Sequence, residues 1–271
     1  MGFLAFILPM AYLGQLIAVF VHEILGHGLA GILIGARMEG LMLTGNGFGT
    51  AYLIWPPNMS LGAHIFVLLA GPFATFLAGV IVILAAWYLR RFFFLSFVLV
   101  ILAANLLLEG PPYLFWNSYL HLPPGDIGRV FELMPSSTLM TTLLIFGGLV
   151  TIASIVLINI ALVRLSERWL GRGVILSGKQ RFFTYLVLFL AQTAVWLLFD
   201  WNLLAPGLGF LPNLSGIIYT FVVLVIIWFS LPTKVPEPFV GSPGKWAAAV
   251  WLVLIVYIAI LVTWFQAGIH W

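Results

Sequence analysis

The chain has 271 residues, of which 63% are hydrophobic and 7% charged, with a mean hydropathy of +1.17; that composition excludes a water-soluble globular core and points to a polytopic membrane protein. It contains no cysteine, which excludes disulfides and thiolate ligands and leaves imidazole, carboxylate, backbone carbonyl or water to hold any metal. The net charge of +3 is carried by short connectors between apolar runs, so the lipid bilayer is an expected partner and nucleic acid is not.

A membrane-crossing helix needs about 20 mostly apolar residues, and the runs of sufficient length are 4–35, 61–89, 92–108, 138–163, 182–199, 215–231 and 246–266. The expected fold is therefore all-α and polytopic, with about seven transmembrane helices and a short β-hairpin inserted after the first. Met1-Gly2-Phe3-Leu4 lacks the basic region of a secretory signal, and Phe6 breaks the myristoylation pattern, so the first run is expected to be retained. That run is too long for one perpendicular helix and is predicted to tilt, to bend near Pro9 or Gly14, or to leave the bilayer before Gly35.

Inside it lies Val21-His22-Glu23-Ile24-Leu25-Gly26-His27-Gly28. Central ionisable residues cost about 2.5–3.5 kcal/mol on insertion scales, so they persist where they bind or react. A zinc hydrolase needs a few protein ligands, an open position for water and a base beside it. The motif His-Glu-x-x-His places two ligands four residues apart on one helical face. Here His22 and His27 are five apart, roughly 140° around a regular helix. Two arrangements remain open. A π-bulge, eased by Gly26 and Gly28, brings both imidazoles to one ion; a regular helix instead offers Glu23 and His27 as ligands, and Glu23 is then not the base.

Residues 38–53 hold two short β-capable pieces around Gly45-Asn46-Gly47, a pattern read either as a hairpin or as a surface loop. A hairpin there offers an edge with which an extended peptide can pair through its main chain. Arg90-Arg91 separates the second and third runs and marks a tight helical hairpin. Residues 109–137 form a second polar intermission containing Glu109, Asn117, His121 and Asp126; its aromatic residues allow part of it to dip back toward the bilayer. Asp126 after Pro123-Pro124-Gly125 also suits a helix cap.

Further on, residues 164–181 form a basic connector. If the N-terminus is cytoplasmic, Arg90, Arg91, Arg164, Arg168, Arg172, Lys179, Arg181, Lys234 and Lys245 fall inside, and only Arg37 and Arg129 outside; the bias favours that orientation. The last three runs contain no comparable polar cluster and read as scaffold or a partner-binding face.

The pattern His-Glu-Ile-Leu-Gly-His-Gly resembles the expanded zinc motif of the dipeptidyl peptidase III family, in which both histidines still bind the ion. A longer resemblance runs from His22 through Tyr52, and again near Ala70 and Asp126, to the site-2 protease superfamily of intramembrane zinc metalloproteases, particularly its small bacterial members. There a glycine-rich β segment follows the motif helix, as at 38–53, and a second helix bears Ala-Gly-Pro-x-x-Asn, matched by Ala70-Gly71-Pro72-Phe73-Ala74-Thr75 with Thr75 at the Asn position. The family's later Asn-x-x-Pro-x-x-x-Leu-Asp-Gly is represented by Asn117 and Pro123-Pro124-Gly125-Asp126-Ile127-Gly128, with one residue more between Asn and Asp.

The resemblance implies His22, His27 and Asp126 as zinc ligands, Glu23 as general base, and Asn117 and Thr75 as substrate-positioning residues. It implies a metalloprotease-like core at 1–135, made of three transmembrane helices, the β-hairpin and the re-entrant stretch, followed by a four-helix transmembrane extension at 136–271. The expected activity is cleavage of a membrane-embedded or membrane-near peptide by metal-activated water, in a multi-pass protein of a bacterial or archaeal membrane. The alternative is a non-proteolytic protein that keeps the fold as a sensor, assembly factor or transporter. His121 and Glu109 are rival third ligands, and two histidines with a glutamate can also serve as interhelical hydrogen-bond glue.

Overall fold

The structure is a computed structural model that describes residues 2–43, 49–120, 125–170, 243–260 and 269–270. The first apolar run forms helix α1 (Gly2–Phe20), passes without a break into a π-helical segment (Val21–Gly28) and closes with the short α2 (Leu29–Leu33). Its exit is a turn around Gly35 at φ +87°, with Gly35 N–H donating to Ile32 O at 3.0 Å and Ala36 N–H to Gly31 O at 2.9 Å. This is a Schellman ending, in which glycine takes the left-handed position without a Cβ clash.

The chain then forms the expected hairpin. Strand β1 (Arg37–Leu43) pairs antiparallel with β2 (Gly49–Ile54), and a bulge between Met38 and Gly40 shifts the register. A short third strand, β3 (Ile269–His270), joins the other edge of β1, so the sheet order is β2-β1-β3.

Helix α3 (Leu61–Tyr88) starts at Ser60, whose Oγ accepts from Ala63 N–H at 3.2 Å, a normal N-cap arrangement. The tight turn at Leu89–Phe92 sets Arg90 over the Trp87 ring at 5.4 Å and Arg91 over the Phe92 ring at 4.7 Å. Helix α4 (Phe93–Leu120) returns alongside α3, with Leu107 filling the space left by Gly79. Helices α5 (Asp126–Leu133), α6 (Ser137–Leu170) and α7 (Pro243–Ile260) complete the described elements, and α7 packs along α1.

Among the described residues, four helical stretches are long and apolar enough to cross a membrane: Pro9–Leu33, Leu61–Tyr88, Phe93–Pro112 and Ser137–Ile158. They match the first four predicted runs. The predicted runs 182–199 and 215–231 lie outside the described residues, and the last predicted run, 246–266, is represented by α7.

The third run differs from expectation. Instead of ending near 108, α4 continues to Leu120 through Pro111 and Pro112. Prolines inside a helix each remove a backbone donor and crowd the preceding turn, so packing must hold this part in place. Gly110 sits against the Pro72 carbonyl and the Thr75 hydroxyl, and Leu114 is buried with Ile127 and Leu143. That last cluster joins α4, α5 and α6. Ile127 and Val130 are fully buried, each contributing about 1.5–3 kcal/mol, and they fix the position from which Asp126 reaches inward.

Candidate metal centre and active site

The π-helical segment answers the spacing problem. Its hydrogen bonds run between residues five apart, as in Leu29 N–H to Ile24 O, so residues 22 and 27 stack on one face as residues four apart do in an α-helix. The two imidazole rings lie 4.9 Å apart between centroids at an interplanar angle of 63°. His22, Glu23 and His27 are all buried, and their ligand-capable atoms lie within 4.8 Å of one another.

Asp126 arrives from α5. Its Oδ2 lies 3.4 Å from His22 Nε2 and 3.1 Å from His27 Nε2. Tetrahedral ligands at zinc bond lengths of about 2.0–2.1 Å stand about 3.3 Å from each other, so each imidazole nitrogen lies from the Asp126 oxygen at the spacing of two ligands on one ion. The cap reading of Asp126 is not what the fold uses: Gly125 holds the cap position without a side-chain cap bond, and the Asp126 carboxylate turns to the imidazoles.

His27 is oriented by its other nitrogen. Nδ1 lies 2.8 Å from the Val67 carbonyl of α3; donating there places the proton on Nδ1 and leaves the Nε2 lone pair for an ion. Glycine makes the approach of α3 possible. A Cβ on Gly26 would strike the Gly71 backbone, and a Cβ on Gly71 would lie 2.5 Å from His27 Nε2 and closer still to His22 Nε2. Gly71 therefore forms one wall of the space between the imidazoles, and any side chain there would fill it.

Glu23 is held by the hairpin. Its Oε2 accepts from Ala51 N–H of β2 at 2.8 Å, and its Cγ lies against Gly49, where a Cβ would come within 2.6 Å. The buried carboxylate is thus beside the imidazoles while one of its oxygens is anchored to a main-chain amide. The side chain of Asp126, 24% exposed, is the most open of the four.

The other sequence candidates lie elsewhere. Thr75 is fully buried, and its hydroxyl donates to the Pro72 and Gly71 carbonyls of its own helix at 2.9 and 3.3 Å, so it serves helix packing here. Glu109 accepts from Gln15 Nε2 at 2.7 Å, joining α4 to α1. Asn117 belongs to α4, but its side chain, like the whole of His121, lies outside the described residues. The roles of Gly49, Ala51 and Val67 were invisible in the sequence, because they are exercised by main-chain atoms or by the lack of a side chain. Gly71 alone was signalled, through its motif.

Residues 3–118 match the family model described as Peptidase M50B-like. Over that stretch the chain is similar to that family. The match takes in the π-helical motif, the hairpin, α3 and most of α4, and bears out the resemblance to the site-2 protease superfamily; Asp126 follows just beyond it. No curated protein and no solved structure matches the chain. The four apolar helices among the described residues make the chain an integral membrane protein, and its His/Glu/His group could hold a metal ion.

Proposed function

We propose that this protein is an intramembrane zinc endopeptidase, with His22, His27 and Asp126 as metal ligands and Glu23 as general base. The observation that carries the reading is the convergence of both Nε2 atoms on Asp126 Oδ2 at 3.4 and 3.1 Å, with Glu23 alongside and tied to a different partner. Zinc, when bound, supplies Lewis acidity in a site shielded from bulk water.

The chain's own groups do the rest. His27, locked by Val67, presents Nε2; His22 faces it across the Gly71 wall; Asp126 contributes the anionic ligand. Glu23 takes the proton of the attacking water and passes it to the leaving amine. The substrate is an extended or locally unwound segment of a membrane protein, or a membrane-near peptide. Strand β2 is a sheet edge next to Glu23, and such edges suit main-chain pairing with a peptide.

Zinc content and cleavage of a helical test substrate, compared between wild type and Glu23→Gln, test this reading. Retained zinc with cleavage lowered by about 10²-fold or more supports it. Absence of zinc from both proteins favours a non-proteolytic membrane protein that has kept the fold.

A further inference from the structure

The donor that holds Glu23 sits at the end of a row crossing the whole sheet. Because Ala51 N–H points to Glu23, Ala51 does not use it on β1, and its pair with Leu41 is of the kind whose main-chain groups face away from each other. The N–H and C=O of Leu41 therefore turn to the opposite edge, where its partner is Ile269 of β3. Leu41 is 1% exposed, and buried main-chain groups need partners. Ile269 stands where it can supply them. Helix α7 packs along α1, so the part of the chain that follows the M50B-like stretch reaches the catalytic core through a helix as well as through a strand.

We propose that the row Ile269, Leu41, Ala51 is a positioning device for Glu23, with residues 269–270 as its outer member. Strand β3 holds β1, β1 sets β2, and β2 presents the Ala51 amide to the carboxylate while Gly49 lets the strand lie against the Glu23 stem. A segment outside the family-matched region thereby fixes the base of the reaction. This rests on the endopeptidase reading for its catalytic consequence, but not for the row itself.

The test uses the full chain in detergent or nanodiscs. Ile269→Pro combined with His270→Pro removes the donors of β3, and Ala51→Pro removes the donor to Glu23 without taking a bond from the β1–β2 ladder. Amide hydrogen exchange at Leu41 and Ala51 is read beside zinc content, kcat and KM on a helical test substrate.

The expected result for the β3 double variant is exchange about tenfold faster at both amides, zinc retained, and kcat about tenfold lower with KM within about twofold. Ala51→Pro lowers kcat to a similar degree, and Ala51→Gly, which keeps the N–H, recovers most of it. Unchanged exchange and kcat in the double variant overturn the proposal. So does a rise in KM at constant kcat, which makes β3 a substrate contact, and so does loss of zinc, which gives it a general folding role. If wild type neither holds zinc nor cleaves, the endopeptidase reading fails, while the exchange comparison still decides whether residues 269–270 protect Leu41 and Ala51.

Discussion

Asp126 Oδ2 stands 3.1 Å from His27 Nε2, although 99 residues separate them. The carboxylate comes from a short amphipathic helix pinned by Ile127 and Val130, and the imidazole from a π-turn pinned by the Val67 carbonyl. Two separately packed elements thus place a nitrogen and an oxygen at the spacing of ligands sharing one ion.

Asp126→Asn keeps the shape of the side chain and removes its charge. If Asp126 is a ligand, zinc affinity falls by at least about tenfold, measured by competition with a chelator at fixed protein concentration. Glu109→Gln leaves zinc content unchanged, since Glu109 is engaged with Gln15. The reverse pattern would transfer the third ligand to Glu109.

Gly71→Ala puts a methyl group 2.5 Å from His27 Nε2. The expected outcome is a helical, membrane-inserted protein with little or no zinc, read by metal analysis and circular dichroism. Full zinc occupancy in this variant would show that the ion does not sit between the imidazoles.

Gly26→Ala drives a Cβ into the backbone of Gly71 and into the Ala70 carbonyl. Neither can rotate away, so the two helices must separate. A destabilisation of about 1–3 kcal/mol is expected, seen as earlier thermal unfolding in detergent. Ala at Gly62, where an added Cβ meets nothing within 4 Å, serves as the comparison and leaves the unfolding temperature near that of wild type.

Topology follows from the first four crossings. The α3–α4 turn with Arg90 and Arg91 lies on the same side as the start of α1, and so does the end of α6. Basic residues mark the cytoplasmic side, so reporter fusions after Arg91 and after Arg172 are both expected to give cytoplasmic signals. Periplasmic signals at both positions would invert the protein in the bilayer.

The sequence alone determined the membrane class and the first four crossings, singled out His22, Glu23 and His27 as metal-capable, and left the hairpin open against a surface loop. Apolar run length and the cost of ionisable groups in lipid are local properties, legible without a fold. Local information did not decide between a π-turn and a regular helix at residues 21–28, because both satisfy the backbone; packing of Gly26 against Gly71 accompanies the π form. Nor did it show that α4 runs on through Pro111 and Pro112, where contacts from α3 and α6 outweigh the intrinsic cost. The partners of the candidate site groups were also decided only by tertiary structure. The Val67 carbonyl, the Ala51 amide and the space beside Gly71 are main-chain features that any residue type can carry, so they acquire meaning only when distant segments meet.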